Sequence, residues 1–161
     1  FAKSFPWRPQ ILVGLAFTWG VLLGWGAPTG SRDWPAVVLY CSGIFWTLFY
    51  DTIYAHQDTD DDALIGLKST ARLFGNKTHY WLTLFLLFSI STMIWALLIA
   101  IPLKVNVLIV ALLGPITFGL HMIWQIVRLN TENKSNLLKL FRSNREAGLF
   151  PVLFFVIANM L

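Results

Sequence analysis

Charge is scarce in this chain. Of its 161 residues only 12% are Asp, Glu, Lys or Arg, against 57% that are hydrophobic, and the mean hydropathy is +0.65. A soluble domain of this size cannot bury 13 Phe and 8 Trp as well as its aliphatic residues, because a small domain leaves much of its surface in water. The water-soluble class is excluded. Cysteine is nearly missing too: Cys41 stands alone, so no disulfide forms within the chain, and it reads as a small packing residue in an apolar stretch. No basic start leads into a short apolar region and cleavage site, so no signal peptide is expected. Short period-two strands are also lacking, which excludes an outer-membrane barrel. His79 and His121 have no His, Cys or Glu partner at ligand spacing, which argues against a transition-metal centre.

What the chain has instead is uncharged windows: Pro9–Ser31, Trp34–Tyr50, Thr78–Leu103, Val105–Val127 and Ala147–Leu161. A bilayer core of about 30 Å takes roughly 20 mostly apolar residues per helix. Backbone groups in lipid must be satisfied within the segment, so helices are the natural assignment. The expected fold is therefore all-α, a polytopic membrane bundle of about five transmembrane helices in a single membrane domain over 1–161. The expected spans are 9–27, 34–55, 79–101, 105–127 and 146–161, with polar segments 56–78 and 128–145. Within the second polar segment, Leu137, Leu138, Leu140 and Phe141 alternate with Lys139 and Arg142, a pattern suited to lying on a membrane surface.

The formal charge of +4 would suggest a nucleic-acid partner in a soluble protein; here its placement matters more, and no nucleic acid is expected. If the crossings alternate, ten of the twelve basic residues fall on one face, leaving Arg32 and Lys104 opposite. The positive-inside rule makes the crowded face cytoplasmic, or its matrix equivalent, and both polar segments share it.

One stretch breaks the apolar pattern: DTIYAHQDTDDDALIGLKST, Asp51 to Thr70, holds five aspartates within twelve residues. If the second span continues past Asp51, positions 51, 58 and 62 return to one helix face, with Asp61 beside them. Carboxylates on one stripe repel, so something cationic should bind there. A DxxxD pair suits Mg2+, a hard ion that keeps several waters and bridges a few carboxylates to phosphate oxygens. Gly66 can end the acidic helix and Ser69 or Thr70 can start the next, with Lys68 facing the same anion. The plain alternative is a solvated acidic loop.

The block YDTIYAHQDTDDDALIGLKSTARLFG, Tyr50 to Gly75, resembles the second aspartate-rich motif of the intramembrane aromatic prenyltransferases. AKSFPWRPQILVGLAFTWGVLLGW resembles the family's preceding helix, and LLKLFRSNREAGL resembles its last polar loop and the entry to its final helix. The resemblance implies a nine-helix bundle around a cavity open to lipid, of which this chain would hold helices five to nine. It implies that Asp58 and Asp62 are catalytic and hold Mg2+ on a prenyl diphosphate. Lys3 matches the lysine of a diphosphate-binding YxxxK motif, Lys68 is a second candidate for that contact, and Asp51, Tyr54 and Asp61 are candidates for shaping the aromatic site. The family's first motif, NDxxDxxxD, should lie upstream of Phe1, so the fragment alone should be inactive.

The HQD and KSTA wording points to the ubiquinone branch: transfer of a polyprenyl group to 4-hydroxybenzoate, on the ring carbon ortho to the hydroxyl. Polyprenyl diphosphate, the aromatic acid and the lipid bilayer are then the partners, with no obligate protein partner evident. The membrane would be the bacterial inner or the mitochondrial inner membrane. Homogentisate, haem or chlorophyllide as acceptor is the alternative within the superfamily. A divalent-cation transporter is the alternative outside it, and would need acidic residues near midplane depth.

Overall fold

The computed structural model describes Thr18, Gly20, residues 33–64, 66, 69–100 and 104–161, the side chains at 60 and 61 excepted. Within these residues every regular element is helical, so the all-α expectation holds. The first apolar window, apart from Thr18 and Gly20, lies outside the described residues, as do Lys3 and Lys68.

Asp33 in an extended conformation, followed by Pro35 in the first turn, starts α1, Trp34–Ala55. Proline is tolerated there because the first N–H groups of a helix have no internal partner. Two short helices follow, α2, Thr59–Leu64, and α3, Thr70–Phe74, and a 3-10 turn, Gly75–Lys77, leads into α4, Thr78–Ala100. α5 spans Val105–Arg128, with Pro115 inside it. Asn133 then caps α6, Lys134–Asn159, its side-chain oxygen accepting from Asn136 N at 3.0 Å.

Side-chain neighbours fix the helix directions. Ser42 meets Ser89, Phe45 stacks on Phe88 and His56 bonds Thr78, so α1 and α4 run antiparallel. Gln125 meets Asn144, and Gly114 lies against Pro151, so α5 and α6 do the same. Trp46 bonds Asn144 and Tyr54 packs on Phe141, which sets α6 antiparallel to α1. The carboxyl ends of α1 and α5 and the amino ends of α4 and α6 therefore share one end of the bundle. That end carries Arg72, Lys77, Arg128 and Lys134 and, on the first half of α6, Lys139, Arg142 and Arg145, while Lys104 sits at the other.

Three helical stretches, Trp34–Ala55, Thr70–Ala100 and Val105–Arg128, are long and apolar enough to cross a membrane. Large apolar side chains on α4 and α5 face outward, among them Leu87, Phe88, Ile99, Leu120 and Val127. Lipid tails are as apolar as leucine, so what joins such helices is close packing and local hydrogen bonding. The α1–α4 seam shows this: Ser42 Oγ donates to Ser89 O at 2.7 Å, and Ser89 Oγ donates to Ser42 O at 3.1 Å. Phe49, Ile53, Leu82, Phe118, Met122, Leu137 and Leu140 fill the interior.

One expectation from the pattern changes. The segment 128–145 was expected to be a polar surface segment ahead of a helix at 146–161; α6 is instead one helix from Lys134. The reason is its stripe: Leu137, Leu140, Asn144, Ala147 and Pro151 are buried at three- and four-residue spacing, so this face docks into the bundle. α1 ends at Ala55, as the expected span 34–55 has it, and does not carry on through the acidic run.

Candidate functional site

The acidic segment holds a turn at 56–58 and the helix α2, and α3 starts at Thr70. Gln57 N bonds Tyr54 O at 2.9 Å, Asp58 N bonds Ala55 O at 3.4 Å, and Thr59 Oγ1 donates to His56 O at 3.2 Å. α2 then begins, with Asp62 N donating to Asp58 O at 2.7 Å. The turn at 56–58 separates the Asp58–Asp62 pair from Asp51. The expected single stripe through positions 51, 58 and 62 is therefore replaced by two elements, Asp51 on α1 and the DxxxD pair at the start of α2.

Asp58 is exposed, whereas Asp62 is 8% exposed. Asp51 is half-buried and Tyr54 faces outward on the last turn of α1. Side chains at Asp60 and Asp61 lie outside the described residues, so the Asp61 expectation stays open. Gly66, in the left-handed region at φ 73°, follows α2, and Ser69 stands at the cap position of α3. α3 folds back on both neighbours: Thr52 Oγ1 donates to Thr70 Oγ1 at 2.9 Å, and Arg72 Nη1 donates to Asp62 O at 3.1 Å.

His56 anchors the turn to α4. Thr78 Oγ1 donates its one hydrogen to Gly75 O at 2.7 Å, so it accepts from His56 Nε2 at 3.0 Å, which assigns the protonated ring nitrogen. Burial lowers the His56 pKa from its ordinary value, and the nearby His79 ring pushes it the same way.

Sequence reasoning missed two donors. Gln57 Nε2 and Ser69 Oγ are buried without a hydrogen-bond partner, the only such side-chain atoms among the described residues. Both flank the acidic run. A buried donor left unpaired costs about 1–3 kcal/mol, so it marks a place where an acceptor belongs. Ser69 was legible as a cap; that its hydroxyl makes no cap bond was not. Beside the segment, Trp46, Tyr50, His121, Trp124, Phe141 and Arg142 are among the residues lining a groove of about 1190 Å³.

Among the described residues no three His, Cys, Asp or Glu side chains converge as a metal site. The Asp58–Asp62 pair, one helical turn apart, is the donor set that remains. It fits an ion that takes one or two carboxylates and completes its shell with water and phosphate oxygens.

A sequence profile of the UbiA prenyltransferase family matches residues 1–145. The chain belongs to this family. It is 41% identical over 162 residues to the mitochondrial 4-hydroxybenzoate polyprenyltransferase of Dictyostelium discoideum, covering 100% of this chain and 34% of that protein. The human protein of the same name is 44% identical over 160 residues, 98% of this chain and 42% of its own length. That of Drosophila melanogaster is 42% identical over 163 residues, 99% and 40%. The chain thus spans a third to two fifths of the length of these relatives. No solved structure matches it. Family membership makes the apolar helices those of a membrane protein.

Proposed function

We propose that this chain supplies part of the active site of a Mg2+-dependent 4-hydroxybenzoate polyprenyltransferase. The observation that carries the reading is the acidic segment: an exposed and a buried carboxylate one turn apart, flanked by two buried donors with no partner. The names and identity of the UbiA relatives support the acceptor and the donor.

In the proposed reaction the bond from the allylic carbon to the diphosphate oxygen breaks. The ring carbon ortho to the phenol hydroxyl bonds to that allylic carbon, and the ring proton at that position leaves. Mg2+, held by Asp58 and Asp62, would supply positive charge for the departing diphosphate. Gln57 Nε2 and Ser69 Oγ offer hydrogen bonds that strengthen as negative charge grows on the leaving oxygens. Lys68 and Lys3 are proposed as further diphosphate contacts. Arg72, tied to the Asp62 carbonyl, holds α2 against α3. Asp51 and Tyr54 are proposed to border the aromatic site.

The membrane we propose is an inner one, mitochondrial or bacterial, with the acidic segment on the matrix or cytoplasmic side. The basic residues gathered at that end of the bundle support this orientation.

The test uses membranes holding the full-length protein, incubated with 4-hydroxybenzoate, a polyprenyl diphosphate and Mg2+, and the lipid extract analysed for 3-polyprenyl-4-hydroxybenzoate. Product should vanish with EDTA and in an Asp58→Ala, Asp62→Ala double variant. Product with another aromatic acceptor only would keep the family and move the acceptor. No prenyl transfer to any acceptor by a folded protein would return the acidic segment to the cation-transport reading.

A further inference from the structure

The seam where α1, α5 and α6 meet holds a carboxamide network that the acidic segment does not account for. Trp46 Nε1 donates to Asn144 Oδ1 at 3.0 Å, and Gln125 Nε2 donates to the same oxygen at 3.2 Å. Asn144 Nδ2 donates in return to Gln125 Oε1 at 3.1 Å, and to the carbonyl oxygens of Leu140 at 3.1 Å and Phe141 at 3.3 Å. Asn144 is 5% exposed and Gln125 0%. An amide has two lone pairs on oxygen and two hydrogens on nitrogen, and all four are engaged here. Asn144 therefore has nothing left to offer a ligand; its capacity goes into holding three helices together.

What it holds is next to the candidate site. Three residues earlier on α6, Phe141 packs on Tyr54 with ring centroids 4.7 Å apart and on Tyr50 at 5.8 Å. These tyrosines bracket Asp51 at the end of α1, just before the acidic turn. Trp46, Tyr50, Phe141 and Asn144 line the same groove, which Lys139 and Arg142 also line. Aromatic rings that stack and cations that pair with a carboxylate are the chemistry that recognises an aromatic acid.

We infer that Asn144 is a positioning residue: it locks α6 in the register that seats Phe141 against Tyr50 and Tyr54, and so shapes the aromatic wall that receives the ring of a carboxylate acceptor. The inference rests on the prenyl-transfer reading above. A lock that served stability alone would not distinguish one substrate from the other, and that difference is what the experiment reads.

The full-length protein in membranes is assayed with KM determined separately for 4-hydroxybenzoate and for polyprenyl diphosphate. Asn144→Ala should raise KM for the acid about tenfold, the cost of a misplaced binding wall well under the hundredfold that a ~1 Å displacement of reacting groups can bring. KM for the diphosphate should stay within about twofold, since none of its proposed contacts lies on α6. Trp46→Phe, which removes one donor from the network, should shift KM for the acid in the same direction and less. In a Phe141→Leu background, Asn144→Ala should add nothing further to that KM, because its effect runs through the Phe141 ring. Equal rises in both KM values, additive effects with Phe141→Leu, or lost thermal stability with KM for the acid unchanged would each overturn the positioning role. Should Asn144→Ala fail to fold, Trp46→Phe decides: an unchanged KM for the acid overturns the role. Failure of the unaltered protein to form product overturns the prenyl-transfer reading, and the acceptor wall with it, whereas product without the KM split overturns the inference alone.

Discussion

Gly148 is where a single methyl group should disturb the seam between α1 and α6. A Cβ built on Gly148 would lie 2.5 Å from Trp46 Cη2 and 3.4 Å from Cζ2. Ordinary carbon–carbon contact begins near ~3.5 Å, so the indole must retreat by about 1 Å. It cannot do so freely, because its Nε1 is tied to Asn144 Oδ1 at 3.0 Å and its ring packs edge-on to Phe118, centroids 5.3 Å apart. A shift of that size carries the Nε1–Oδ1 separation toward ~4 Å, beyond hydrogen-bonding range. Overpacking costs about 1–3 kcal/mol, and a lost bond between membrane helices about 0.6 kcal/mol. Gly148→Ala should therefore destabilise by roughly 2 kcal/mol and lower the apparent Tm of the full-length protein by about 2 °C. The assay is thermal unfolding of the detergent-solubilised full-length protein, run as a cycle with Trp46→Phe. Phenylalanine lacks the outer ring that the new methyl meets, so in that background the glycine replacement should cost under about 0.5 kcal/mol. An equal cost in both backgrounds would refute the steric argument, and with it the placement of Trp46 between α1 and α6.

Other outcomes follow from the acidic segment. Because the folded-state pKa of His56 is depressed, the unfolded chain takes up the proton first as pH falls; stability is full above the ordinary histidine pKa of about 6.5 and declines below it, by at most about 1.4 kcal/mol per pH unit. Denaturation midpoints measured from pH 7.5 to 5.5 should show this slope, and His56→Gln should flatten it; an unchanged slope would mean that another group sets it. Ser69→Ala removes a buried hydroxyl that has no partner, so Tm should hold or rise slightly while KM for polyprenyl diphosphate increases several-fold; a fall in Tm with unchanged KM would place the hydroxyl in the fold instead. Lys68→Met should raise KM for polyprenyl diphosphate more than KM for 4-hydroxybenzoate, and the reverse ranking would remove Lys68 from the diphosphate contacts.

Much of the acidic segment was legible because it is local. Asp58 and Asp62 announce themselves by spacing, and Gly66 and Ser69 do mark an end and a start. The span 34–55 was legible, and α1 ends at Ala55 as expected; the buried His56–Thr78 bond that ties the following turn to α4 was not. The difference in exposure between Asp58 and Asp62 was equally hidden. In α6 the basic residues suggested a surface segment, and only the docking of Leu137, Leu140 and Asn144 shows which face wins.

By itself the sequence determined that the chain is helical, lives in a membrane and carries an acidic segment that resembles the UbiA family's. These properties follow from composition, run length and short spacing, and a helix in lipid satisfies its hydrogen bonds within its own segment. The tertiary structure alone decided which residues meet: Trp46 and Asn144 are 98 positions apart, and Ser42 and Ser89 are 47 apart. No periodicity reports a contact at that separation. It comes into being only when antiparallel helices pack closely enough for side chains on different turns to satisfy one another.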